Sequence, residues 1–329
     1  MDLDVVFLGT SGSAPTAARG APAVLVRRGG DRLLFDCGEG TQRQLMRSLV
    51  GLPDLEQIFV THFHADHYLG LPGMLKTFAL RQREVPLTVY GPPGLRELFG
   101  SLRRVFGKLT YPVETVEVRA GEALERDGYR ILVFPVHHGV SAVGYALVEE
   151  PRPGRFDVEA ADALGVPNGP ERGALQRGES ITLPDGRVLT PDVVLGEARH
   201  GRRIVLPGDS APTETVRVLA EGADVLVHEA TFGEDERERA AETLHSTAVQ
   251  AAELARDAGV QLLALTHLST RYFGPEVARE AQDVFANTVV PRDFDVIEVP
   301  FPERGPPKLV PRGARPPRDA PVASSSTST

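Results

Sequence analysis

The chain has 329 residues, 41% of them hydrophobic, and sets 45 Asp and Glu against 36 Lys and Arg for a formal net charge of -9. No run approaches the roughly 20 consecutive apolar residues that cross a bilayer, and the opening residues lead straight into a strand pattern at Asp4-Val5-Val6-Phe7-Leu8, so neither a membrane span nor a signal peptide is expected and the protein is placed in the cytoplasm. A single cysteine, Cys37, excludes an intramolecular disulfide framework and reads as a packed core residue.

After the first strand, Gln57-Ile58-Phe59-Val60-Thr61 is an apolar, β-branched stretch that predicts a buried strand. It runs into His62-Phe63-His64-Ala65-Asp66-His67, beyond which Tyr68 to Leu75 opens a helix. The H-x-H-x-D-H run therefore sits on a strand-to-helix loop, and imidazole and carboxylate together suit a borderline cation such as zinc. A polar rim or chance clustering of histidines is the competing explanation, but packing alone does not call for four ligand side chains in one turn of chain. Residues 81 to 111 then place Arg81, Arg83, Arg96, Arg103, Arg104 and Lys108 among Tyr90, Phe99, Phe106 and Tyr111. That pattern suits either a phosphate-contacting face or an ordinary solvated helix face.

Three further apolar strands end on ligand types. Ile131 to Val136 runs into His137-His138, Ile204 to Gly208 into Asp209-Ser210, and Leu262 to Thr266 into His267. Strands that converge at their carboxyl ends assemble a site from distant sequence, the sheet supplying rigidity and the loops supplying chemistry. The length allows about two domains, but ligands spread from residue 62 to residue 267 argue for one α/β catalytic domain.

With these residues in hand, the chain resembles the metallo-β-lactamase superfamily and, within it, the ribonuclease Z family. The motifs that carry the resemblance run from Phe7-Leu8-Gly9-Thr10-Ser11-Gly12-Ser13-Ala14-Pro15 through Asp36-Cys37-Gly38-Glu39-Gly40-Thr41-Gln42 and Thr61 to His67. They continue with His138-Gly139-Val140, Gly208-Asp209-Ser210, His228-Glu229-Ala230-Thr231-Phe232, His245-Ser246-Thr247 and Leu265-Thr266-His267. The resemblance implies an αββα sandwich of two mixed sheets flanked by helices, and an endoribonuclease that removes the 3′ trailer of precursor tRNA after the discriminator base. It implies two Zn2+ per subunit, or Mn2+ or a similar ion in their place. His62, His64 and His138 would hold one, Asp66, His67 and His267 the other, with Asp209 bridging. His138 rather than His137 is the ligand because the family pattern sets it immediately before Gly139. Asp66 would double as proton acceptor, and Glu229 with His245 would form a relay to the departing oxygen or else merely orient ligands.

The same resemblance implies an inserted flexible arm at about 150–190 that grips the tRNA, with Gly169, Pro170 and Arg172 at its tip, and a homodimer. The catalytic domain is set at 1–304 and a disordered Pro-, Arg- and Ser-rich tail at 305–329. Precursor tRNA is the expected partner, with no membrane and no DNA. The rivals are a small-molecule metallohydrolase of the same fold, of arylsulfatase or lactonase type, and a catalytically inactive RNA-binding relative. Loss of a ligand would mark the latter, and all seven ligand positions are filled.

Overall fold

The computed structural model of the chain describes residues 1–52 and 55–313. Continuous apolar runs become strands covered on both faces. β1 (Leu3–Gly9) is buried at every position and pairs antiparallel with β2 (Ala23–Arg28), which pairs in turn with β3 (Asp31–Phe35). After helix α1 (Thr41–Arg47), β4 (Gln57–Phe59) joins β3 in parallel. The short helix α2 (Ala65–Tyr68) and the longer α3 (Gly70–Leu80) follow, then β5 (Leu87–Gly91), α4 (Leu95–Phe106) and β6 (Val113–Glu117), both strands again parallel. The turn from antiparallel to parallel pairing makes the sheet mixed and brings the carboxyl ends of β3 and β4 side by side.

The second half of the chain supplies β7 (Ala123–Arg126), β8 (Tyr129–Pro135) and β9 (Val143–Glu149), then an excursion through α5 (Val158–Ala163), α6 (Pro170–Gln176) and the hairpin β10 (Ile181–Thr182) and β11 (Val188–Leu189). It continues with β12 (Arg203–Gly208), α7 (Glu214–Leu219), β13 (Val225–Glu229), α8 (Arg237–Thr243), α9 (Ala248–Asp257), β14 (Leu262–Thr266), α10 (Gly274–Gln282), β15 (Thr288–Val289), β16 (Val296–Glu298) and β17 (Lys308–Val310). The first sheet has the order β17-β16-β1-β2-β3-β4-β5-β6 and the second β15-β14-β13-β12-β9-β8-β7. The expected sandwich of two mixed sheets flanked by helices is therefore present. One apolar layer joins Leu8, Leu34, Ile58 and Val89 to Leu45, Met74, Phe78 and Phe106 of the helices, and another stacks Phe35 on Phe59, with Tyr145 of β9 edge-on to Phe59. Each such side chain, fully buried, contributes about 1.5–3 kcal/mol.

The chain divides into two compact units: Met1–Leu124 with Ile131–Leu147 and Arg203 onward, and Glu125–Arg130 with Val148–Arg202. The second unit contains the segment at about 150–190 that was expected as an inserted flexible arm. It has its own core, in which Ala161, Val166, Leu175, Ile181, Leu183, Leu189 and Val194 are buried against Phe156 and Leu164. Glycines, prolines and charges dominate that segment's composition and hide the spaced apolar residues that hold it together. The boundary at residue 304 is corrected, because Lys308–Val310 pairs antiparallel with β16 in the register Val296↔Val310 and Glu298↔Lys308. An edge strand draws on backbone hydrogen bonds of the neighbouring strand and needs no core of its own. The remainder of the expected tail, from residue 314, lies outside the described residues. Among the described residues no helix is long and apolar enough to cross a membrane.

Candidate metal centre

The predicted ligands stand at or a few residues beyond the carboxyl ends of strands, with His64 capping α2 and Asp66 and His67 carried on it just past β4. His62 follows β4, His138 follows β8, Asp209 follows β12, Glu229 ends β13 and His267 follows β14. Close backbone approach makes this convergence feasible. A Cβ on Gly38 would stand 2.3 Å from the Asp66 carbonyl oxygen, and one on Gly70 would stand 2.0 Å from the Gly38 carbonyl oxygen. Asp36, Leu244 and His267 adopt left-handed backbone angles with φ of 57°, 58° and 57°, conformations that cost side-chain-bearing residues energy and concentrate at working sites.

The first cluster gathers imidazoles. His62 Nε2 lies 2.9 Å and His138 Nε2 3.1 Å from His64 Nδ1. The opposite ring nitrogens are already committed: His138 Nδ1 donates to the Leu244 carbonyl at 3.1 Å. Thr61 gives its hydroxyl proton to Asp36 and accepts from His62 Nδ1 at 3.0 Å. Two lone pairs thus face a single His64 nitrogen, whose one proton can satisfy only one of them.

The second cluster is richer still in acceptors. His67 Nδ1 donates to Asp36 at 2.8 Å, and His267 Nδ1 to the Thr231 hydroxyl at 2.8 Å. Their Nε2 atoms lie 3.4 Å apart. Asp66 Oδ2 stands 3.7 Å from His67 and 3.3 Å from His267, and Asp209 Oδ2 stands 3.3 and 3.2 Å from the same nitrogens. Asp209 Oδ2 also reaches the first cluster, 3.9 Å from His62 and 3.7 Å from His138, which is where a bridging carboxylate belongs. Lone pairs converging without protons call for cations, and ligand atoms around a tetrahedral zinc would lie about 3.4 Å apart. The residues fit a pair of divalent ions.

The carboxylates of the site favour positive charge beside them. Burial opposes charge on His67, but Asp209 and Asp36 outweigh it and lift its pKa well above the ordinary value. Burial likewise acts against the Asp209 carboxylate, yet His267 and His67 hold its pKa well below the usual range. His62, buried among other imidazoles, has its pKa driven down. His62, His67, His138, Asp209 and His267 are buried, whereas His64 is exposed and Asp66 and His245 are half-buried. The cluster is therefore sealed on the protein side and open on one side.

At that opening His245 Nδ1 stands 2.8 Å from Glu229 Oε1 and 4.0 Å from Asp209 Oδ2. Glu229 is fixed by the Ser210 amide at 3.0 Å, by the Thr231 amide at 3.2 Å and by the Thr231 hydroxyl. Burial lowers the pKa of His245 and Glu229 raises it, with a net increase. Burial raises that of Glu229 and His245 lowers it, with a net decrease. The Ser13 amide donates to Asp66 Oδ2 at 2.9 Å.

The structure brings together all seven predicted ligands with Glu229 and His245, and it leaves His137 exposed. The arm residues belong to the second unit. Gly169 caps α6, Pro170 begins it, and Arg172 is turned onto the Val166 carbonyl at 2.9 Å and onto Asp162. The basic stretch is also partly structural: Phe106 and Tyr111 are buried, and Arg83 lies over the rings of Phe78 and Tyr111 while bonding the Val85 carbonyl at 2.7 Å. Sequence reading missed Asp36, Thr61 and Thr231 as orienting groups, although all three lie inside motifs already singled out.

A family model described as the metallo-beta-lactamase superfamily matches residues 17–150. The chain is 47% identical over 308 residues to a ribonuclease Z of Natronomonas pharaonis, spanning 92% of this chain and 100% of that protein. It is 46% identical over 304 residues to a ribonuclease Z of Archaeoglobus fulgidus, spanning 91% and 98%. Among solved structures, the short form of human tRNase Z is similar with a TM-score of 0.65 at 27% identity, covering 90% of this chain and 99% of that one.

Proposed function

The chain belongs to the ribonuclease Z family of the metallo-β-lactamase superfamily, and we propose here how its residues carry out the 3′ processing of precursor tRNA. It is a hydrolytic endoribonuclease. The observation that carries the detailed reading is the pair of proton-poor clusters joined through Asp209 Oδ2, with a His245–Glu229 pair at their open side.

His62, His64 and His138 would hold one divalent ion and Asp66, His67 and His267 the other, with Asp209 shared; zinc suits the histidine-rich donor set, and manganese or a similar ion could replace it. Two such ions, when bound, neutralise phosphodiester charge and lower the pKa of water toward 7. Asp66 is the proton acceptor: its Oδ2 is oriented by the Ser13 amide and faces the open side. Burial works against its charge, but the neighbouring His267 and His67 outweigh burial and keep its pKa low. His245 is the proton donor to the departing 3′ oxygen, and Glu229 holds the imidazole both oriented and charged. The cut falls after the discriminator base and leaves a 3′-hydroxyl on the tRNA. The second unit, folded on its own core, is the arm that grips the tRNA, and the working form is a homodimer.

Incubating the purified protein with a precursor tRNA that carries a 3′ trailer and no encoded CCA, then mapping RNA ends at single-nucleotide resolution, tests this reading. A single cut after the discriminator base with a 3′-hydroxyl is expected. No cut by a metal-loaded protein would overturn it in favour of a small-molecule hydrolase.

A further inference from the structure

His228 opens the His-Glu-Ala-Thr-Phe motif, yet it has no part in the metal centre. It stands on β13 between Val227 and Glu229, both of which line the inner cavity with His67 and His267. Strand alternation turns its ring to the opposite face, the one on which α9 packs with Ala248, Ala251, Ala252 and Ala255 buried. The residue is fully buried, so it neither joins the ligand set nor touches RNA. Burial pushes the pKa of the imidazole below its ordinary value and keeps the ring neutral. Nδ1 lies 2.9 Å from the Glu229 carbonyl oxygen, and since a carbonyl only accepts, Nδ1 carries the proton and Nε2 is a bare acceptor. Nε2 has no hydrogen-bond partner among the described residues. A buried acceptor in that state costs stability, and valine or leucine, the residue types at 225 to 227, would not incur that cost. What the imidazole alone supplies is the Nδ1 bond.

The strand pairing shows why the Glu229 carbonyl needs that donor. β12 and β13 run parallel, and after a bulge between Val205 and Gly208 the register sets Gly208 opposite His228. Continued by one step, this pairing would deliver the Ser210 amide to the Glu229 carbonyl. The chain instead turns at Gly208, whose φ is 71°, and the Ser210 amide goes to the Glu229 carboxylate, 3.0 Å from Oε1. On the other edge β14 takes its bond from the next residue, the Ala230 amide donating to the Thr266 carbonyl at 2.9 Å. The Glu229 carbonyl is thus passed over by both neighbouring strands, and His228 Nδ1 supplies the missing donor.

We propose that His228 is a positioning residue for the proton donor: by holding the Glu229 carbonyl it frees the Ser210 amide for the Glu229 carboxylate, and so fixes that carboxylate against His245. The proposal rests on the role proposed for Glu229 and His245. Without the Nδ1 donor, the carbonyl and the carboxylate of Glu229 compete for one amide, and the carboxylate loses its hold on the side away from Thr231.

The test measures the single-turnover cleavage rate on precursor tRNA, KM, metal content and thermal midpoint for wild type, His228→Phe, His228→Asn, Glu229→Ala and the double variant His228→Phe/Glu229→Ala. Phenylalanine fills the space of the ring with neither donor nor bare acceptor, and asparagine sets an amide N–H where Nδ1 stood. His228→Phe should cleave about tenfold more slowly, near the most that one hydrogen bond supplies, with KM and metal content unchanged and a thermal midpoint no lower than that of wild type. His228→Asn should recover the rate. On the Glu229→Ala background His228→Phe should have no further effect, the sign that the two act as one unit. A lowered midpoint with the rate intact, or a loss of rate that persists without Glu229, would mark a merely structural histidine and overturn the proposal. Glu229→Ala as fast as wild type would overturn the relay together with this proposal, whereas a slow Glu229→Ala beside an unimpaired His228→Phe would overturn this proposal alone. Histidine 15N spectra of the metal-loaded wild type give a measurement free of any failure to fold. The signal missing from His228→Asn should show a neutral ring protonated on Nδ1 across about pH 5 to 8, where an ordinary histidine titrates, and a proton on Nε2 would overturn the proposal.

Discussion

His245 and Glu229 are held 2.8 Å apart within hydrogen bonds from Ser210 and Thr231, so the carboxylate cannot swing away from the imidazole. The pair raises the His245 pKa above its ordinary value of 6.5 against the effect of burial. A group with a raised pKa keeps its proton until the pH climbs through that raised value. A donor of this kind therefore stays active across neutral pH and fails on the alkaline side. Glu229→Gln keeps the shape and removes the charge, so the alkaline limb of kcat against pH should move to lower pH, with metal content unchanged. A limb that stays in place would assign it to another group and leave His245 as an orienting residue. The residues of this site were legible in the sequence wherever a ligand type terminates an apolar strand, as at His138, Asp209 and His267. Their orienting partners were not, since Asp36 reaches His67 only through a left-handed backbone turn that no residue pattern announces.

At the scale of elements, the strands were readable from their apolar runs and the second unit was not. Its core draws single residues from two short helices and a hairpin, Ala161 and Leu175 from α5 and α6, Ile181 and Leu189 from β10 and β11. No stretch is long enough to show a clear period. The unit closes at its base through the bridge between Arg152 and Arg199 and the bidentate Arg202–Glu149 pair, with two contacts of 2.7 Å. Because Arg152 and Arg199 already pair antiparallel, residues 153–198 can be replaced by a short Gly-Ser turn without leaving half of a core exposed. This shortened protein should bind precursor tRNA more weakly, with KM raised at least about tenfold, the scale of one lost contact cluster. Hydrolysis of bis(p-nitrophenyl) phosphate should persist. Equal loss on both substrates would show that the unit supports the metal centre rather than gripping RNA.

For the molecule as a whole, a net charge of -9 and an RNA substrate are reconciled at the metal centre, which bound cations would make more positive. The same centre ties the fold together. Its ligands come from the ends of β4 in the first sheet and of β8, β12 and β14 in the second, so bound ions would cross-link the two layers of the sandwich. Without them the carboxylates of Asp66 and Asp209 and the lone pairs of the histidines face one another at 3.2 to 3.7 Å. Any ligand that binds the folded chain alone stabilises it in proportion to the logarithm of its concentration, about 2.7 kcal/mol at 100 times Kd. Stripping the protein with dipicolinate should therefore lower its thermal midpoint, and titrating zinc back should restore it, in step with metal content approaching two per chain. Asp209→Ala should blunt that recovery, because the one carboxylate oxygen that reaches both clusters is gone. A midpoint that ignores chelation would mean that the two sheets are held by their apolar layer alone and that the clustered acceptors are satisfied by protons.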